Sequence, residues 1–101
     1  MNTETLEIVR GSGNVFRDVG HPSADVQQLK ALLAAEIIKA LDRQGLSVRA
    51  AQALTKVAAA DFSRIRNADL GRFTVDRLMS IVNRLGSRID VRVRFKRNNA
   101  A

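Results

Sequence analysis

Apolar residues recur at helical spacing along much of the chain. In the first such stretch they stand three to four positions apart: Val26, Leu29, Leu33, Ile37 and Leu41. Ser23 precedes this stretch as a suitable N-cap, and Gly45 follows it where a left-handed C-cap is favoured. The pattern therefore predicts one amphipathic helix between these two residues.

A second, shorter helix is predicted to begin at Ser47, which is again a suitable N-cap. It reaches about Leu54, and its expected inward residues are Ala50, Ala51 and Leu54. Residues 55–57 (Thr-Lys-Val) then interrupt the helical spacing. We expect a turn there.

Two further helices are predicted after this turn. The third spans residues 58–67, with Phe62 and Ile65 three apart on its buried side. Thr74 is a suitable N-cap for the fourth, and Gly86 ends it. The core stripe of the fourth helix consists of Val75, Leu78, Val82 and Leu85.

The C-terminal tail changes to a period of two, which is typical of a half-buried strand. Its apolar positions are Ile89, Val91, Val93 and Phe95, and they alternate with Asp90, Arg92, Arg94 and Lys96. A single strand cannot satisfy its own backbone hydrogen bonds, so it needs a partner. Three partners are open: the segment Leu6–Val9, the same strand of a second subunit, or another protein.

These elements predict a mainly α fold, a bundle of about four to five helices with a C-terminal β-strand. We expect three regions: an N-terminal arm and Gly-rich loop (residues 1–22), a helical domain (23–86), and a basic strand and tail (87–101). Val15, Phe16 and Val19 are candidates for anchoring the loop to the core. A chain of 101 residues fits one domain.

Charge adds the first functional indication. The chain has 17 Lys and Arg against 10 Asp and Glu, a net charge of +7. Such a surface attracts polyanions, because each cation that neutralises a phosphate releases condensed counterions. Solubility or an acidic protein partner would also explain the charge.

The residue types needed for catalysis are scarce. The chain has no Cys and one His, His21, which precedes Pro22. Neither a metal triad nor a nucleophile–base pair can be assembled from these residues, so we expect no enzyme, no metal and no cofactor. The apolar runs are too short for a membrane span and the N-terminus shows no secretory signal, so we expect a cytoplasmic protein.

Residues 46–67 have the features of a helix-turn-helix. Such a unit needs a small residue where its helices cross, a tight turn, and an apolar residue just after the turn. Ala51 supplies the first, Thr55 and Lys56 the second, and Val57 the third. A helical bundle with an ordinary short helix pair is the alternative interpretation.

The same residues resemble the Xre/Cro repressor-like helix-turn-helix family. The resemblance rests on Leu46-Ser47, Ala51, Val57, residues 62–65 (Phe-Ser-Arg-Ile) and Asn67. Residues 61–78 and the preceding segment Gly13–Gly20 are similar to a subgroup of small Xre regulators that includes HigA-like antitoxins. The resemblance implies a lambda-repressor-like fold and binding to double-stranded DNA.

By this resemblance the third helix enters the major groove. The expected base contacts are Ala59, Ala60, Ser63 and Arg64. Arg64 matches a base-contacting position of the family, and its fork suits guanine, whereas the two alanines suit thymine methyl groups. The chain departs from the family at Val48, where Gln often contacts phosphate, and at Lys56, where Gly often makes the turn. It also departs at Ala59 and Ala60, where Gln or Ser often touch bases.

The expected phosphate contacts set the register of the protein on DNA rather than its sequence preference. They are Ser47, Arg49, Lys56, Arg66, Asn67 and Arg72. The expected dimer or strand-pairing residues are Ile89, Val91, Val93 and Phe95.

Two functions follow. One is a transcriptional repressor that binds a palindromic operator as a homodimer, and the other is an antitoxin that neutralises a toxin protein by direct contact. The two are compatible with each other. RNA binding is a third possibility, which the scarcity of aromatic residues disfavours.

Overall fold

The computed structural model describes residues 3–10 and 24–95 of the chain. Its elements, in order, are β1 (Thr3–Arg10), α1 (Ala24–Gln44), α2 (Val48–Thr55), α3 (Ala59–Arg66), α4 (Val75–Arg84) and β2 (Arg88–Phe95). The described part thus has four helices and a C-terminal strand, which confirms the predicted mainly α class. The predictions for Val15, Phe16, Val19, the Ser23 cap and Lys96, and for the segment 13–20, lie outside the described residues.

Helix α1 provides one wall of the core. Leu33, Ile37 and Leu41 are fully buried, as their spacing predicts, and Gly45 ends the helix with a φ of 65°. The expected burial of Val26 is wrong, since 44% of this residue is exposed. The 21 residues of α1 extend about 31 Å, whereas the 10 residues of α4, the helix that covers it, extend about 15 Å. The apolar stripe of α1 therefore continues past the end of α4.

Helix α2 starts at its predicted cap, where the Ser47 hydroxyl accepts a hydrogen bond from the Ala50 amide at 3.1 Å. Its predicted inward face was partly wrong. Ala51 is buried, but Ala50 is exposed and so is 57% of Leu54. The reason is the buried Thr55, which shares the inner face with Ala51 and turns Leu54 toward solvent.

Thr55 is buried without leaving its hydroxyl unpaired. The hydroxyl donates to the Ala51 carbonyl at 2.7 Å and accepts from the Val57 amide at 3.2 Å. It therefore links the last turn of α2 to the turn that follows. The Arg84 guanidinium adds a hydrogen bond to the Thr55 carbonyl at 3.1 Å, which ties α4 to the same point.

The predicted turn between α2 and α3 is present. Lys56 adopts a left-handed conformation with a φ of 67°, and its amide donates to the Gln52 carbonyl. Val57, just after it, is fully buried, as a helix-turn-helix requires. A non-glycine residue in this region costs about 1–2 kcal/mol, so the turn carries backbone strain.

Helices α3 and α4 complete the core. Phe62 and Ile65 of α3 are fully buried, as predicted. Thr74 caps α4 by accepting from the Arg77 amide at 3.0 Å. In α4, Leu78 and Val82 are buried as predicted and Val75 is half-buried, whereas Ile81, which is outside the predicted stripe, is fully buried. Leu85 is buried just beyond the helix, and Gly86 has a φ of 93°.

The two strands form a parallel pair. Thr3 is the Cα partner of Arg88, and the register runs to Arg10 beside Phe95. Of the three open partners for the C-terminal strand, the N-terminal segment thus pairs with it in the structure. The four helices lie in the chain between the two strands, and they provide the long crossover connection that a parallel pair requires.

Candidate nucleic-acid interface

The outward face of α3 can be located from the positions of its buried residues. Successive residues of a helix are rotated by about 100°, so the arc opposite the buried Phe62 and Ile65 contains Ala60, Ser63 and Asn67, with Arg64 beside it. The first three are exposed and Arg64 is half-buried. The structure therefore places Ala60, Ser63 and Arg64, three of the four predicted base contacts, on one side of the helix.

Ala59, the fourth predicted base contact, is half-buried at the start of α3. Its amide donates to the Gln52 side-chain oxygen at 2.8 Å. Ala58, the residue at the N-cap position, has no side chain that could accept such a bond. Helix α2 thus caps the first turn of α3, and Gln52 fixes one helix of the pair against the other.

Arg64 is held by a carboxylate one turn earlier. One of its terminal nitrogens donates to the Asp61 side chain at 2.9 Å. The other Asp61 oxygen lies 4.0 Å from the Arg77 guanidinium, so Asp61 stands between α3 and α4. A guanidinium carries five N–H donors, and the pair with Asp61 leaves Arg64 others for a base edge.

Three predicted phosphate contacts lie on or beside α2. Arg49 and Lys56 are exposed and, with Gln52, Ala53 and Ala59, line a concave surface between α2 and α3. The Ser47 hydroxyl accepts the capping bond and keeps its own proton to donate. Two cations therefore flank the groove that leads to the start of α3.

The other three predicted phosphate contacts are spread along the chain after Ser63. Asn67 is the C-cap of α3 and is exposed, as is Arg72 in the loop before α4. Arg66 is rotated by about 120° from Ala60 around α3. Its guanidinium donates to Asp42 at the end of α1 at 2.9 Å, so Arg66 lies toward α1 rather than on the outward face.

The supporting residues of this surface were not predicted from the sequence. Asp61 was assigned no role, although its spacing of three from Arg64 is a readable helix pair. Gln52 and Asp42 gave no sequence signal, because their partners lie 7 and 24 residues away and meet them only in the folded chain.

No set of three or more His, Cys, Asp or Glu side chains that could hold a metal ion occurs in the described part of the chain. Within the same residues, no helix is both long and apolar enough to cross a membrane.

Helices α2 and α3 meet at a short turn, Ala51 of α2 and Val57 of the turn are buried in the core, and α3 has one buried and one exposed face. This arrangement defines a helix-turn-helix, a class of DNA-binding modules in which the second helix enters the major groove. A family model described as a helix-turn-helix domain matches residues 15–94, and the chain belongs to this family. No curated protein and no solved structure matches the chain.

Proposed function

We propose that this protein is a sequence-specific transcriptional regulator, a repressor that binds a palindromic operator as a homodimer. The observation that carries the proposal is the outward face of α3, which presents small residues and Arg64 next to the groove that Arg49 and Lys56 line. A helix lined by small residues can lie deep in the major groove, and the neighbouring cations can bind phosphates.

The contacts divide by chemistry. Ala59 and Ala60 pack against thymine methyl groups, Ser63 bonds a base or a phosphate, and Arg64 donates to the two major-groove acceptors of guanine. The phosphate contacts are Ser47, Arg49, Lys56, Asn67 and Arg72, and Arg66 joins them only when it leaves Asp42. Few bases are read directly, so DNA shape and the spacing of the two half-sites contribute much of the selectivity.

The regulator acts by binding alone, without a catalytic step, a metal or a cofactor. The chain's content of no Cys and one His supports this, since most nucleophilic and metal chemistry draws on those residues.

A second candidate function is neutralisation of a toxin protein by a HigA-like antitoxin. The observation that favours it is the exposed apolar side of β2, where 40% of Val91, 49% of Val93 and 75% of Phe95 are exposed. With Ile89, these residues can pair with another chain. A toxin and a second copy of this chain are both chemically suitable, and repression and neutralisation can coexist.

Selection of duplexes from a random library by the purified full chain tests the proposed function. We expect enriched duplexes to hold two inverted half-sites with centres about 10 base pairs apart, because two α3 helices of a dimer then face successive major grooves. A library that shows no enriched sequence after repeated rounds contradicts the proposal.

A further inference from the structure

Exposure rises steadily along the apolar side of β2. Ile89 is half-buried and packs against the helical core, whereas Val91, Val93 and Phe95 are 40%, 49% and 75% exposed. The strand therefore leaves the helical core as it proceeds, and its far end carries an uncovered aromatic side chain. Apolar residues on an exposed strand favour a partner that can cover them.

One edge of β2 is available to such a partner. The strand pairs with β1 along one edge, and the described residues contain no strand on the other. An unpaired edge offers a row of backbone donors and acceptors to a further strand. A partner strand here would also extend the apolar side of the sheet.

We propose that a second copy of this chain fills this edge, with β2 pairing antiparallel to the partner's β2 about a two-fold axis at Arg92. In this register Ile89 lies opposite the partner's Phe95, and Val91 lies opposite the partner's Val93. The exposed end of each strand thus meets the end of the other that packs on its own helical core. Each copy thus sets its more exposed apolar residues opposite the less exposed ones of its partner.

Charge adds favourable pairs in this register. With Arg92 on the axis, Asp90 faces the partner's Arg94, and Arg94 faces the partner's Asp90. Like charges meet at Arg92 itself, where each guanidinium lies 4.0 Å from Asp90 of its own chain, and the register sets Arg88 opposite the position of the partner's Lys96. Opposite charges on directly paired positions stabilise a sheet, and like charges destabilise it.

The two neighbouring registers that keep the apolar sides of the two strands together pair fewer apolar residues. With Val91 on the axis, Phe95 faces the partner's Ser87, and with Val93 on the axis, Ile89 faces the position of the partner's Arg97. Only the register with Arg92 on the axis places all four apolar residues opposite another apolar residue, and it also sets Asp90 opposite the partner's Arg94.

Cysteine cross-linking tests this arrangement, because the chain contains no Cys of its own. Directly opposed residues of antiparallel strands have Cα atoms about 4.5–5.5 Å apart, within the range that a disulfide spans. An Arg92→Cys variant should therefore form a covalent dimer on mild oxidation. The matched control is Arg88→Cys, whose two thiols would lie eight residues apart along the paired strands, about 27 Å, and should not cross-link.

A charge exchange tests the register by an independent measurement. Asp90→Arg and Arg94→Asp should each raise the dimer dissociation constant about tenfold or more in sedimentation equilibrium, since each places like charges opposite one another at two sites. The double variant should restore the parent's value. Arg72→Asp, with the same charge change as Arg94→Asp but away from β2, should leave the constant unchanged.

A parent chain that remains monomeric, equal cross-linking by both cysteine variants, or a double variant that is folded but as monomeric as the single ones would each overturn the proposal. The inference rests on the proposed homodimer, and duplex binding separates the two. If selected DNA is bound while Arg92→Cys does not cross-link, only the β2 interface is wrong. If Arg92→Cys cross-links while no duplex is selected, only the DNA-binding function is wrong.

Discussion

At the scale of single residues, Arg64 is the proposed base-reading side chain, and Asp61 holds its guanidinium through an ion pair. The ion pair is only partly exposed, with 35% of the Arg64 side chain and 22% of the Asp61 side chain accessible. A carboxylate at this place has two effects. It restricts the orientations of Arg64, and in the proposed DNA complex it would repel phosphates near a base that Arg64 does not match.

Replacement of Asp61 by Asn tests this role. We expect tighter binding to scrambled duplexes, because a negative charge near the backbone is lost, and a specificity ratio between selected and scrambled duplexes that falls about fivefold to tenfold. Fluorescence anisotropy with both duplexes measures the ratio. Asp76→Asn, on the exposed first turn of α4, is the matched control, and an Asp61→Asn ratio equal to the control's would contradict the role.

At the scale of secondary structure, the local signals of the sequence were sufficient for the helices. The caps Ser47 and Thr74 and the glycines after α1 and α4 act within one turn, so their residues alone indicate where helices begin and end. Which residues of a helix are buried was harder to predict from the sequence. Leu54 is exposed although apolar, and Thr55 is buried although polar, because the choice depends on which face of α2 meets the neighbouring helices.

The turn between α2 and α3 affects both the stability of the fold and the proposed phosphate contact of Lys56. Lys56 has a left-handed backbone, which Gly adopts without strain, and its side chain lies beside the groove to α3. Stability favours Gly at this position, whereas the proposed phosphate contact requires Lys. The proposed contact would account for a cation at a position where the resembling family commonly has Gly.

Two substitutions at Lys56 separate these effects. Lys56→Gly should raise the free energy of unfolding by about 0.5–1 kcal/mol in urea denaturation, because the left-handed strain is removed and part of the gain is offset by chain entropy. Lys56→Ala keeps the strain and should give no such gain. Both should weaken duplex binding to a similar extent, since both remove the cation. Equal stability of the two variants would show that the turn is unstrained.

At the scale of the whole molecule, the net charge of +7 indicates a polyanionic partner. The fold determines which Lys and Arg side chains can contact that partner. By sequence, Arg66 belongs to α3, the helix expected to enter the major groove. In the structure its guanidinium is directed toward Asp42 on α1. Gln52 reaches Ala59 across the turn, and β1 reaches β2 across the whole chain. Spacing shows neither the Arg66–Asp42 nor the Gln52–Ala59 contact, and it leaves the β1–β2 pairing as one of three possibilities, because these contacts form only when the helices pack.

The salt dependence of duplex binding reports how many cations the whole molecule contributes. Arg49, Lys56 and Arg72 from each chain of a dimer would release about six counterions, and Arg66 would add to this only as far as it leaves Asp42. The slope of log K against log salt should therefore be about −5 to −7. Titrations by anisotropy between 50 and 200 mM salt, roughly the range over which such slopes are resolved, measure it. A slope near −2 would contradict the proposed phosphate contacts.

The central claim, that α3 reads DNA through Arg64, is tested most directly by Arg64→Ala on the selected duplex. Lys30→Ala, which removes the same charge near the start of α1, is the control. We expect Arg64→Ala to lose about 1–3 kcal/mol on the selected duplex, with relaxed preference at one base pair per half-site, and the control to keep that preference. If Arg64→Ala binds the selected and the scrambled duplexes with the parent's affinities, α3 does not read DNA through Arg64.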